Sequence, residues 1–303
     1  MSFRIDPAKP FDQKWKSVAE TELERAISVL EQQPNGLHEA IHEARKAFKR
    51  VRSLYRLVAP DHPEFRSREN ARLRQTARSL SVVRDATALI ETVDYLSKDP
   101  QSPDETAALM ASRAALIRRR DAIAETQTDL DGHAKAAIAQ CREAIAAIRE
   151  CNLGHGPRRT ARMVRKAWKS AAKRGKHALA ACHAAEHSER FHDLRKAGQV
   201  YWMYLSLVRD LWPSAIEAKR RDAKRLIEML GHEHDLCLLA ELMDSEPGML
   251  GDAQQQSHLL GAIIRRQQKL RAEALPLAEH VFSGHPRQEA DVIATLWLRA
   301  ATD

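Results

Sequence analysis

Between Leu37 and Val58 the chain carries two unlike sets of side chains at helical spacing. Taking roughly 100° per residue and Ile41 as origin, Leu37, Ile41, Ala44, Phe48, Val51, Leu54, Tyr55 and Val58 share one broad apolar face. His38, His42, Arg45, Lys49, Arg52 and Arg56 fall beside it, in an arc of roughly 80° at that pitch. Steps of three and four residues make neighbours of those six. The apolar face demands a helical core to bury it, and a row of like charges demands a polyanion to compensate it.

The pattern starts again later in the chain. His192, Arg195 and Lys196 follow His42, Arg45 and Lys46 by 150 residues, and the same offset relates Leu57-Val58 to Leu207-Val208, Leu80 to Leu230, Asp85 to Asp235 and Leu89 to Leu239. A constant offset over that distance indicates tandem duplication. Only 11 Gly and 12 Pro, with few β-branched runs, point to an all-α protein. Breakers give helices over about Phe11–Gln33, Leu37–Val58, Phe65–Leu96 with a break near Arg84-Asp85, and Asp104–Glu150 with an interruption at Asp131-Gly132. Asn152-Leu153-Gly154-His155-Gly156-Pro157 is the clearest boundary, and beyond it helices span about Arg158–Glu186, the His192 region up to Pro213, Ala215–Met243 and Ala253–Phe282. The expected architecture is one domain over 1–303, made of two tandem four-helix bundles, 1–152 and 153–303, related by an internal pseudo-twofold with a basic central groove or channel.

A net charge of +8 implies an acidic partner: nucleic acid, an anionic membrane surface or a smaller polyanion. Cys141, Cys151, Cys182 and Cys237 are scattered and fit a reduced thiol set. No signal peptide and no membrane span is expected, which gives a cytoplasmic protein. There is no nucleophile elbow and no glycine-rich phosphate loop, so the chain reads as a binding protein without cofactors rather than an enzyme. His38-Glu39-Ala40-Ile41-His42 has the HExxH spacing of zinc peptidases, but Arg45 and Lys49 beside it oppose a divalent ion. His183 to His187 shows the inverted spacing in an Ala-rich helix end. His232-Glu233-His234-Asp235 has ligand-type residues about 100° apart, which cannot converge on one ion. Asp85 and Asp235, each in an apolar stretch, are expected to pair with an Arg or His of the basic rows.

More basic rows follow: Arg158, Arg162, Arg165, Lys169 and Lys173, then Arg68, Arg72, Arg74 and Arg78, and later Lys224 and Arg225. Guanidinium forks and ammonium groups about 5–6 Å apart suit a chain of phosphates. His42-Glu43-Ala44-Arg45-Lys46-Ala47-Phe48-Lys49-Arg50-Val51-Arg52, its second copy from His192 to Trp202, and the companion stretches Leu80-Ser81-Val82-Val83-Arg84-Asp85 and Leu230-Gly231-His232-Glu233-His234-Asp235 resemble the CHAD domain. That family is a histidine-containing α-helical domain that binds inorganic polyphosphate.

The resemblance spans about Phe11 to Ala290. It implies two bundles around a positive channel, no catalysis, a possible separate polyphosphate-metabolising enzyme as partner, and a place on polyphosphate granules. Carried over position by position, His42, Arg45, Lys46, Lys49 and Arg52 become phosphate ligands, with His192, Arg195 and Lys196 opposite. The adjoining rows add His38, Arg56, Arg74, Arg78, Arg162, Arg165, Lys169 and Lys224. The second copy departs at Gln199, Val200 and Trp202, where the first has Lys49, Arg50 and Arg52, so its grip should be weaker. The competing readings are a nucleic-acid-binding helical protein, disfavoured by only 5% aromatic residues, and a metal-dependent enzyme using His38 and His42. Protonation of His42 and His192 is expected to strengthen binding below neutral pH.

Overall fold

The computed structural model describes residues 3–80, 82–126, 130–154, 156–185 and 187–302, and their side chains apart from 82–84 and 126. Among these residues there are eleven α-helices and no strand. The first half contains α1 (Phe11–Gln32), α2 (Leu37–Val58), α3 (Pro63–Ser79), α4 (Val82–Leu96), α5 (Pro103–Thr126) and α6 (Leu130–Glu150). The second contains α7 (Pro157–Ala184), α8 (Ser188–Leu207), a 3-10 turn (Arg209–Leu211), α9 (Pro213–Ser245), α10 (Ala253–Val281) and α11 (Pro286–Ala300). Pro63, Pro157, Pro213 and Pro286 open their helices at the first turn, where a missing N–H costs no hydrogen bond.

The helices differ from those expected in three places. The break in the third helix falls at Leu80, whose backbone leaves helical geometry while its side chain stays buried, and not near Arg84-Asp85, where α4 is continuous; α6 likewise runs through Asp131-Gly132, where an interruption was expected. Helix α11 is an addition to the expected set, because Ser283-Gly284-His285-Pro286 reads as a terminus. Beyond it Ala290, Ile293 and Trp297 recur at steps of three and four and bury one face.

The offset seen in the sequence recurs in the helix limits. Starts at Pro63 and Pro213, starts at Pro103 and Ala253, and ends at Glu150 and Ala300 each lie 150 residues apart. The copies differ where α3 and α4 are separate and α9 runs through without a break.

Packing does not sort the helices by half. In the first half α1, α2, α3 and α6 form a closed ring, each touching the next. Trp15 is its anchor, fully buried, with its indole N–H donating to Leu54 O at 3.1 Å and its ring 5.8 Å from Phe65. Truncating such a residue to Ala costs about 3–5 kcal/mol. In the second half α7 lies between α8 and α11, and α8 lies against α9. Gly175 lets α7 approach the end of α10 closely, since a Cβ there would stand 2.1 Å from the Phe282 ring.

A separate core joins the halves: Leu89, Val93 and Leu116 of α4 and α5 pack with Leu236, Leu239 and Ile263 of α9 and α10. Arg266 over the Tyr95 ring at 4.4 Å, and Tyr95 stacked on His232 at 4.1 Å, tie the same helices. Contacts of α2 with both α7 and α8 complete the junction. They place the basic helix between the two halves rather than on the outside.

Candidate functional site

The α2 helix matches the limits expected from its pattern, and its apolar residues from Ile41 to Val58 are buried in the main core. Its basic row runs along the edge of that buried face. His38 is exposed in the first turn, His42 is half-buried, Lys46 and Lys49 are exposed, and Arg45, Arg52 and Arg56 are half-buried. Arg45 Nη1 lies 3.7 Å from Asp85 Oδ1, the ion pair expected for that aspartate. Lys46 pairs with Glu43 at 2.7 Å on the outer side.

Toward the end of α2 the row loses its carboxylates. Arg52 Nε donates to Asn70 Oδ1 at 2.9 Å, a neutral partner. Burial, followed by repulsion from Arg74, Arg66 and Arg78, lowers the pKa of the Arg52 guanidinium. For Arg56, burial and then Arg52, with Arg66 and Arg174 further down, push it down to about 10. Cations have been collected here at an electrostatic cost.

The arginines of α3 divide into two kinds. Arg68 and Arg72 clamp Glu69, which is fully buried, through Nε contacts of 2.9 and 3.0 Å, and Arg72 also reaches Glu143 of α6. Those two are structural, because an unpaired carboxylate at that depth would be strongly destabilising. Arg66, Asn70, Arg74 and Arg78 stand four residues apart on the α2 side, as their effects on Arg52 show. Sequence reading named Arg74 and Arg78 but missed Arg66; the i, i+4 step through Asn70 was the available signal.

A cavity of about 350 Å³ opens at the end of the α2 row. Arg56, Arg66 and Arg174 line it, with Ser170, Val200 and Tyr204 between them, and no carboxylate lines it. Arg174 of α7 was also missed; Lys166, Ser170 and Arg174 form the row that marks this side. Lys166 itself meets Asp61 at 3.7 Å. Of the residues expected on α7, Arg165 pairs with Asp291 of α11, while Arg162 and Lys169 are exposed. The structure does not bring Arg165 to the cavity.

On α8, His192 and Arg195 are half-buried and Lys196 is exposed, paired with Asp193 at 3.1 Å. The His192 ring stacks on His234 of α9 with centroids 4.1 Å apart, and its buried Nδ1 has no hydrogen-bond partner. Burial first, then Lys196 and Arg195, lower the pKa of His192; burial, His192, Arg195 and Lys196 hold His234 at about 4. Lys224 is exposed and reaches Glu228 at 3.4 Å.

The run from His232 to Asp235 diverges as adjacent helical positions must. His232 stacks on Tyr95, Glu233 is buried against Arg271 at 2.6 Å, and His234 turns to α8. His183 lies 3.1 Å from Glu279, and Glu186 of the same motif is outside the described residues. Among the described residues no group of three or more His, Cys, Asp or Glu converges as a metal site, and no helix is long and apolar enough to cross a membrane. This geometry gathers fixed cations of α2, α3 and α7 at one place, suited to an anion.

A search of curated proteins returned no match. The family model of the CHAD domain matches residues 21–244, which takes in α2, α3, the cavity-lining parts of α7 and α8, and α9 almost to its end. With three-quarters of its length matched, this chain belongs to the CHAD domain family.

Proposed function

We propose that the protein binds inorganic polyphosphate without transforming it. The chain of phosphates lies in a groove along the His42–Arg56 side of α2. It is flanked by Arg66, Arg74 and Arg78 of α3 and Arg174 of α7, and His192, Arg195 and Lys196 of α8 extend it. The two repeats, 1–152 and 153–303, act as one binding unit, with the fuller basic set in the first. The expected setting is cytoplasmic, on polyphosphate granules, with any hydrolysis left to a separate enzyme.

One observation carries this reading: the cavity at the end of the α2 row gathers Arg56, Arg66 and Arg174 with no carboxylate in its lining. A linear anion that offers several charges at regular spacing satisfies such a row better than a single carboxylate can. Reversing Arg66 and Arg174 to Glu should weaken long-chain polyphosphate at least about a hundredfold in calorimetric titration. It should also reduce the slope of log affinity against log salt by about 1 for each phosphate the variant no longer neutralises. Wild-type affinity in that double variant would refute the assignment. Displacement of polyphosphate by DNA or RNA at equal phosphate concentration would instead favour a nucleic-acid partner.

A further inference from the structure

The duplicated fold contains a second cavity whose lining is the first one's counterpart with its charges exchanged. It has a volume of about 300 Å³ and lies among α1, α2, α8, α9 and the 3-10 turn, lined by Arg25, Arg50, Arg209, Arg220, Trp202 and Ser206. Ser206, Arg209 and Arg50 stand 150 residues from Arg56, Ala59 and Val200, which line the first cavity. At each of those three pairs an arginine in one cavity faces a neutral residue in the other. Trp202 likewise occupies the place of Arg52. The second copy has therefore moved its cations within this pocket rather than lost them.

We propose that this cavity is a separate anion site for a di- or triphosphate group, free or carried on a nucleoside. Four guanidinium groups line it against one carboxylate, that of Glu22. The carboxylates nearby use only part of the donor set. Arg50 gives Nη1 to Glu22, Arg25 gives Nη2 to Glu43, and Arg220 gives Nε and Nη2 to Glu217. Arg209 Nε stands 3.9 Å from Asp210 Oδ1. A guanidinium has five N–H donors in a planar fork, so the contacts of Arg25, Arg50 and Arg220 leave donors for a further acceptor. The indole Nε1 of Trp202 is buried and has no acceptor among the described residues. A phosphoryl oxygen is an acceptor that a ring of arginines would bring to it. The volume, at the lower end for ligand pockets, suits a few linked phosphoryl groups rather than a long chain. The site is distinct from the polyphosphate row, since Arg50 lies about 80° or more around α2 from His38, His42, Arg45, Lys49, Arg52 and Arg56, and of the α2 ligands Lys46 alone lies nearer.

The test uses the full chain carrying Arg66→Glu and Arg174→Glu, so that the first cavity is disabled. Its tryptophan indole groups are labelled with nitrogen-15, and the Trp202 signal is assigned from Trp202→Phe. Titration with tripolyphosphate and, separately, with ATP should move the Trp202 N–H resonance saturably. Adding Arg209→Glu and Arg220→Glu should raise the apparent dissociation constant at least tenfold. The neutral pair Arg209→Gln and Arg220→Gln keeps the test readable if charge reversal unfolds the protein.

Movement with both ligands, or with one alone, supports the site and identifies whether the phosphoryl group must be free or nucleoside-borne. A Trp202 signal unmoved by either, or moved equally in the arginine variants, overturns it. Failure of the polyphosphate reading would appear instead as unchanged polyphosphate binding in the Arg66→Glu/Arg174→Glu parent.

Discussion

Replacing Arg56 by Met should make the free protein more stable and a poorer polyphosphate binder at once. The side chain is half-buried, and burial together with Arg52, Arg66 and Arg174 lowers its pKa to about 10. Because the depressed group is a base, the penalty falls on its charged form: it is present at neutral pH and relieved only as pH rises through about 10. A drop of that size corresponds to roughly 3 kcal/mol. Partial solvation and salt reduce what an unfolding experiment sees to about 1–2 kcal/mol, or a melting temperature higher by about 2–5 °C. Methionine keeps the apolar stem against Tyr204 and Val200, so packing is largely retained.

The matched control is Arg72→Met, one helix away. That change leaves the fully buried Glu69 with Arg68 as its one remaining partner among the described residues and should destabilise by about 1–3 kcal/mol. Scanning calorimetry with and without long-chain polyphosphate separates the two roles. Polyphosphate should raise the melting temperature of the parent clearly more than that of Arg56→Met, because bound anion relieves the repulsion that the variant no longer has. If Arg56→Met melts lower than the parent, as Arg72→Met should, Arg56 is structural and the reasoning fails.

Acid stability should report the histidine stack. The pKa of His192 is lowered and His234 is held at about 4, so the unfolded chain takes up protons first as pH falls below 6.5. Stability should decline from there toward about pH 4, and His234→Gln should flatten that decline in urea titrations. Binding follows the same group: with its pKa lowered, His192 gains its charge at a lower pH than a free imidazole, so the affinity it adds on acidification should appear below about pH 6.5. Breaking the other deep ion pair, with Arg271→Met against the buried Glu233, should cost about 3–5 kcal/mol by chemical unfolding while leaving polyphosphate affinity unchanged.

Local pattern made much of the fold legible. The α2 limits follow from a flanking Gly36 and Pro60 and a continuous apolar face, and the duplication follows from matched residues at one offset. What periodicity cannot carry is which helix meets which. The core shared by α4, α5, α9 and α10 depends on packing between residues more than a hundred positions apart. Helix α11 was hidden by a Gly-His-Pro run that only interrupts the chain.

Along α2 the helix limits were legible in the sequence, but sequence could not separate cations that a carboxylate claims from those that none claims among the described residues. Arg72 and Arg74 look alike in a helical projection. Glu69 and Glu143 claim the first, and nothing acidic claims the second among the described residues.

That sorting gives a general way to read a basic helical protein. A guanidinium taken from water is tolerable when a carboxylate meets it, as at Arg72, Arg165 and Arg271. Where arginines share a cavity whose lining holds no carboxylate among the described residues, as Arg56, Arg66 and Arg174 do, the free protein bears their repulsion, and a bound anion would relieve it. Duplication sharpens the inference, because the same backbone has been furnished twice. Arginine occupies positions 56, 66 and 174 around one cavity and positions 25, 50, 209 and 220 around the other. No pair of these is related by the 150-residue offset, so inheritance from a common ancestral repeat does not by itself account for cations at both places. Each cavity has become basic by its own substitutions, which is the outcome expected if each is filled by an anion of its own.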